Sequence, residues 1–305
     1  MSQSMRSGPY RRARSIALCL VFVTTMAPAS GAGATAGLPF LQLSSGARSA
    51  AMGEAAVALS DPQALYHNPA ALPFGERSAA FAHTEWIEDI RHEYVTLTRG
   101  NGDRAVAVGM QISQATDLEF RTGPTTESLG DFGVYEGALS LGYGRRWNRC
   151  TRIGGAFKLI RQSIYIERVS GYVADFGALY DLRDDVGIGL AVCNLGSMNK
   201  LDQTATDLPQ AVHAGLTYAG VPALLLAFEA RRVAGTTTVH AGAEYQVGKR
   251  LRLRGGYQNA GSRDVGIGFG VESGTYRVNY AFVPFAAGLG DAHRLSFVLR
   301  QAIDR

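Results

Sequence analysis

Cysteine is scarce in this chain, charge is thin, and no long apolar run follows the N-terminal leader. There are three cysteines in 305 residues, and charged side chains make up only 18%. Three thiols cannot staple a disulfide-rich secreted scaffold. No stretch after the leader reaches the ~18 consecutive apolar residues of a spanning helix, so any membrane insertion must be through strands. Lysine and arginine are dispersed, with no basic run interleaved with aromatics, which argues against nucleic acid as a partner. The Gly-x-Ser-x-Gly elbow, the Walker A loop and zinc-type Cys/His spacing are missing. No catalytic residue, cofactor or metal is therefore expected. His83 and His92 flank a hairpin turn beside Glu85, Glu88, Asp89 and Glu93; on an exposed hairpin such groups read as solvated.

The net charge of +4 says little, because Arg6, Arg11, Arg12 and Arg14 stand in a segment of export type. Arg11, Arg12 and Arg14 form a basic region, an apolar run follows over 16–26, and small residues extend from Ala27 to Ala36. This pattern predicts a secretory signal peptide over 1–34, with Ser30-Gly31-Ala32 and Ala32-Gly33-Ala34 as cleavage contexts. Cys19, behind bulky Leu18, reads as part of the apolar core.

What the chain has in abundance is glycine, 37 residues, well above the usual share of ~7%. It also alternates. Between Ser78 and Gln301, about fourteen stretches alternate apolar with small or polar residues. Val186, Ile188, Leu190 and Val192 share one face; Gly187, Gly189, Ala191 and Cys193 share the other. Val265, Ile267, Phe269 and Val271 oppose Gly266, Gly268, Gly270 and Glu272. A period of two is the mark of a strand whose faces meet different environments. A soluble sandwich would turn a charged face to water, and here the second face is mostly glycine and alanine. The expectation is an all-β fold: a transmembrane antiparallel β-barrel of about 14 strands over 77–301, apolar outside and small-lined within.

Turns predict the topology. Long connections are expected on one side at 115–132, 165–170, 195–208, 232–235, 259–262 and 284–292. Short ones are expected on the other, at 148–150, 183–185, 220–221, 248–249 and 273–274. Outer-membrane barrels show this alternation, with their long loops outside the cell. Tyr143, Trp147, Tyr180, Tyr218, Tyr245 and Tyr257 fall near strand ends on the outward face, where an interfacial girdle would lie. Glu244, Arg252, Arg254 and Arg277 fall on the lumen face, where Glu244 can pair with an arginine across strands. Cys150 and Cys193 belong to opposite ends of the barrel, farther apart than the ~7 Å limit for a disulfide, so both are expected as free thiols.

The segment over 40–72 is different in kind: alanine-rich, without strict alternation, and punctuated by Gly46, Gly53, Pro62 and Pro69. It must bury somewhere, and a glycine-lined lumen has room for it. Asn68-Pro69 predicts a turn feeding Ala70-Ala71-Leu72 towards the barrel. Its Gly46-Ala47-Arg48-Ser49-Ala50 opening, Met52-Gly53, Asp61, Tyr66 and Asn68-Pro69-Ala70 resemble the N-terminal signature of the PorV/PorQ family, relatives of FadL-type barrels. Asn194-Leu195-Gly196, Tyr280-Ala281-Phe282-Val283-Pro284 and His293-Arg294-Leu295-Ser296 fit the same family. Two departures stand against it: the chain is short, and Phe297 is not terminal but is followed by a polar end.

The resemblance implies a barrel in the outer membrane with an N-terminal plug over 35–76, in which Arg48, Gly53, Asp61, Asn68, Pro69 and Ala70 form a structural motif. It also implies a non-enzymatic component of type IX-like secretion or surface attachment. Its partners would be the outer-membrane bilayer and secreted cargo or other secretion-system proteins. The 115–132 connection, with Asp117, Glu119, Arg121, Glu127 and Asp131, would be the docking surface. The alternative is a FadL-like channel for uptake of hydrophobic small molecules. An enzyme acting on surface lipid is a third reading, but no nucleophile and base can be assigned to it.

Overall fold

The computed structural model of the protein describes residues 37–43, 45–124, 127–200 and 206–302. The expected signal peptide, Cys19 included, lies outside the described residues. Fourteen strands follow one another along the chain. They are β1 (Glu76–Glu85), β2 (Arg91–Gly100), β3 (Arg104–Phe120), β4 (Gly130–Arg146), β5 (Thr151–Ile164), β6 (Glu167–Arg183) and β7 (Val186–Met198). Then come β8 (Ala211–Val221), β9 (Leu224–Val233), β10 (Thr236–Val247), β11 (Leu251–Gln258), β12 (Val265–Ser273), β13 (Tyr276–Pro284) and β14 (Asp291–Ala302). Each pairs antiparallel with its sequence neighbours, and β1 closes the ring on β14. Closure leaves no edge of unpaired N–H and C=O groups, the condition for strands to stand in hydrocarbon.

Alternation sorts the two faces. Leu97, Leu141, Phe157, Phe176 and Ile267 are exposed on the outer wall, while Ala82, Thr96, Ala107, Ser140 and Ala281 are buried within. An apolar exterior around an interior of small and hydrogen-bonding residues is the arrangement for lipid, not water. Of the girdle aromatics, Tyr143, Trp147, Tyr245 and Tyr257 are exposed, and Tyr180 and Tyr218 are half-buried.

The barrel has a short-turn end, where β1 begins and β14 finishes, and a loop end. Two expected loops are at least half strand. The 115–132 connection contracts to 121–129, because β3 continues past a bulge between Ala115 and Leu118 and pairs Glu119 with Asp131. Asp117 takes a positive φ of 61° there, and this kink hides the resumed alternation from sequence reading. The 165–170 connection contracts to a two-residue turn, since Glu167 and Arg168 pair with Ile164 and Ser163. The wall is therefore uneven: β3, β4 and β6 each run for 17 residues, against 8 in β11. A spanning strand needs ~9–11 residues, so β3–β6 rise above the rest at the loop end. His92 also differs from expectation. It points inward and is buried, and only His83 stays on the outer side, against Glu93 at 2.6 Å.

Residues 37–75 of the described chain lie inside the ring. Helix α1 (Ala47–Ala51) packs on β11–β14, and a 3-10 turn at Pro69–Ala71 packs on β4–β6. A five-residue helix has no stability of its own; the wall holds it. Proline opens the 3-10 turns at Pro62–Tyr66 and Pro69–Ala71, where its missing N–H costs nothing. The Asp61 carboxylate accepts from Gln63 N and the Asn68 amide oxygen from Ala70 N, capping both turns.

Candidate functional site

The plug is joined to the wall by backbone sockets and by buried charge. Sockets come first, because they explain the glycines. A methyl on Gly154 of β5 would stand 2.5 Å from Ala70 N and from Pro69 C. One on Gly177 of β6 would overlap the Asn68 side chain, and one on Gly256 of β11 would overlap Gly53 N. Gly53 itself has φ +62°, and a methyl there would meet Tyr257 O at 2.5 Å. At Gly154, Gly256 and Gly53 plug backbone and wall backbone thus meet with no side chain between them, which only glycine permits. Asn68, fully buried, donates its amide to Val57 O at 2.6 Å and also reaches Ala178 O of β6. The expected turn is therefore also a tether.

Charge makes the second set of joints. Arg48 of α1 donates to both oxygens of Glu244 on β10, at 2.9 and 3.1 Å, and lies 3.6 Å from Asp61. Burial works against the charged form of Arg48, but Glu244 and Asp61 push its pKa up. Arg254 of β11 donates to the same Glu244 at 2.6 Å. Two arginines on one carboxylate satisfy an ion that would otherwise be costly to bury. The other two lumen charges reach Glu272, Arg252 at 3.0 Å and Arg277 at 3.2 Å, joined by Arg300, and Arg252 also lies 3.8 Å from Glu244. The structure brings all four lumen charges to the short-turn half of the lumen. Ala70, also fully buried, contributes its backbone N–H to the turn and its methyl to a cluster with Ala64, Ala71 and Leu179.

Sequence reading missed a larger cluster at the loop end. Glu54 of the plug lies 3.2 Å from Arg231 of β9, 3.3 Å from Arg263 of the 259–264 loop and 3.6 Å from Arg294 of β14. Burial alone would raise the Glu54 pKa, but Arg263, Arg231 and Arg294 hold it at about 2. Arg263 and Arg294 also lie over the Trp86 ring, each at 5.0 Å, and Trp86 meets Phe285 edge-on at 5.0 Å. Glu229 of β9 adds another joint, accepting from Ala56 N at 2.8 Å and Val57 N at 2.9 Å. The signal for these residues was their parity: Glu229, Arg231 and Arg294 share the face of small residues on their strands.

The loop-end lumen also holds an apolar cup. Ala138, Ile160 and Val173 on the wall, with Met198 and Leu208, enclose Leu38, Phe40 and Leu41 of the plug's first turn. Beside it is a cavity of about 30 Å³ lined by Leu41, Tyr66, His67, Cys193 and His213, among others, room for a water. Burial lowers the His67 pKa to about 4. Cys193 lies at this cavity while Cys150 is exposed in a turn at the other end, and both thiols are free. Among the described residues no group of His, Cys, Asp and Glu is arranged to hold a metal ion.

No protein-family profile matches the chain, and no curated protein matches it in sequence. In three dimensions it is similar to FadL-family channels of the outer membrane. Against the CymD monoaromatic hydrocarbon channel the TM-score is 0.64 at 13% identity, covering 85% of this chain and 98% of that one. Against the Ralstonia pickettii toluene transporter TbuX it is 0.63 at 11% identity, covering 85% and 98%. A Pseudomonas aeruginosa FadL homologue gives 0.56 at 10% identity, again covering 85% and 98%. At such identities the likeness establishes the fold, a closed 14-strand antiparallel barrel of FadL type. These likenesses do not extend to the PorV/PorQ name.

Proposed function

We propose that this protein is a non-enzymatic outer-membrane channel for small hydrophobic molecules. The observation that carries the reading is the apolar cup of Ile160, Val173 and Ala138 in the loop-end lumen, a seat for apolar groups that the plug's own Leu38, Phe40 and Leu41 fill in this structure. Its fold neighbours include proteins named for hydrocarbon passage. Ligand sites are concave and mostly apolar with a few placed polar groups. The cup fits that description, with Glu136 and Gln162 joined at 2.8 Å on its rim. The test is uptake of radiolabelled toluene by intact cells, whose lipopolysaccharide leaflet bars it, with and without the protein. Uptake above that of cells lacking the protein, abolished by Ile160→Asp, is expected. Uptake equal to that of cells lacking it overturns the reading.

A second reading, a PorV/PorQ-type secretion component, is favoured by one feature. The raised β3–β6 wall ends in an exposed aromatic tip, where Tyr165 stacks on Phe120 at 5.3 Å and Ile166 is 75% exposed. A photo-crosslinker at Ile166 that captures an exported protein in intact cells would support it. Capture of nothing but lipid would count against it.

A further inference from the structure

The outer wall carries a basic patch that the plug and lumen do not explain. Arg77 of β1 stands directly opposite Arg99 of β2, and Arg104 of β3 directly opposite Arg145 of β4. Arg99 pairs with Val106, two residues from Arg104, so the two pairs are diagonal neighbours and the four form one row. All four are exposed. They share the outward face with Phe81, Leu97, Val106 and Tyr143, each at least 44% exposed.

Like charges set directly opposite on a sheet destabilise it. The lumen side shows how this chain handles that cost. Arg146 and Arg152 are also directly opposed, but Arg146 has Asp103 at 3.8 Å and Arg152 has Asp181 at 3.2 Å. Among the described residues none of the outward four has an ion pair or a side-chain hydrogen bond. The patch is also local. Elsewhere around this end the outward positions carry Ile153, Tyr218, Tyr245, Leu251 and Tyr276, and Arg183 is paired with Asp185 at 3.1 Å.

The height of the row identifies the missing partner. Each arginine is two residues beyond the last outward apolar or small residue of its strand: Ala79, Leu97, Val106 and Tyr143. With ~3.3 Å per residue and a tilt of ~40°, that puts the guanidinium groups about 5 Å below the apolar belt. This is headgroup level, and Tyr143 and exposed Trp147 flank the row as interfacial aromatics do. Guanidinium forks match phosphate oxygens two at a time. We propose that Arg77, Arg99, Arg104 and Arg145 form a binding site for the phosphate of an anionic phospholipid in the periplasmic leaflet. The site rests on the barrel standing in the outer membrane with its short turns inward, and not on what crosses the lumen.

The test titrates phosphatidylglycerol, with phosphatidylcholine as the neutral comparison, into the full mature protein in detergent, counting bound lipids by native mass spectrometry. Each arginine near an anionic headgroup is worth about fivefold in affinity, so Arg99→Gln with Arg145→Gln should weaken phosphatidylglycerol binding roughly thirtyfold. Arg149→Gln with Arg250→Gln, the same charge change on solvent-facing turns, should leave it unchanged. Heat-modifiable migration of each variant reports the barrel separately. If the first pair fails to fold, Arg77→Gln with Arg104→Gln removes the other half of each opposed pair. Equal retention of both lipids by the wild type, or equal losses in row and turn variants, overturns the proposal.

Discussion

Gly154 and Gly155 are adjacent on β5 and should respond in opposite ways to one methyl group. A Cβ on Gly154 would stand 2.5 Å from Ala70 N and Pro69 C and 2.6 Å from Pro69 O. On Gly155, which faces outward, the nearest atom is Asp175 O at 3.6 Å, an ordinary contact. Ordinary contact begins at 3.4 Å, so Gly154→Ala must part plug and wall by the difference, about 0.9 Å. No rotamer relieves this, because both sides are backbone. A gap of that size forfeits a quarter to a half of the local dispersion energy, and forcing volume into packed interiors costs about 1–3 kcal/mol. At about 2 kcal/mol the seated plug is disfavoured roughly thirtyfold. Gly155→Ala should fall within about 0.5 kcal/mol of wild type. The assay pairs planar-bilayer conductance with the temperature at which the folded band disappears on SDS gels. Gly154→Ala should raise conductance and lower that temperature, and Gly155→Ala should do neither. Equal behaviour of the two variants would refute the socket account.

Acidification should loosen the plug in two stages. His67 is held neutral, its pKa lowered to about 4 by burial, so stability is full above the free value of ~6.5 and drains as pH falls towards 4. Glu54, held at about 2, contributes fully above ~4.5 and loses its contribution as pH falls towards 2. Conductance measured against pH should show both stages, and His67→Gln should shrink the first while leaving the second unchanged. Cys150, exposed on a turn, should take a membrane-impermeant maleimide from the periplasmic side, while buried Cys193 reacts only after denaturation; mass spectrometry finding a Cys150–Cys193 bridge would show the strand register between them to be wrong. Deleting 40–72 should leave a ring that still inserts but conducts more and melts earlier, and unchanged conductance would show that the lumen does not depend on its filler.

The ring was legible in the sequence because lipid enforces a period of two that few other environments do. Val265 to Val271, alternating with glycine, could hardly be placed otherwise. The bulge at Asp117 was not legible, since one extra residue shifts the pattern without breaking its composition, and a strand extension then looks like a loop. In the plug, Arg48 and Asn68 stood out through family likeness, but their partners did not. Glu244 was readable as an inward charge on β10, yet nothing local says that it meets Arg48, 196 residues away. Glu54 was passed over for the same reason: its three arginines come from β9, a loop and β14, and only closure brings them together.

That separation also sets the order in which the molecule can assemble. The plug is made first, but the residues that hold its α1 half come late: Glu229 on β9, Glu244 on β10, Gly256 on β11 and Arg294 on β14. Until those strands arrive, only the part of the segment that packs on β4–β6 has a wall to meet, and α1 with Glu54 must be kept in solution by other means. Loop-closure entropy over such spans makes assembly slow. Ring closure between β1 and β14 and capture of the plug are then a single late event, so a chain cut before β14 would forfeit both.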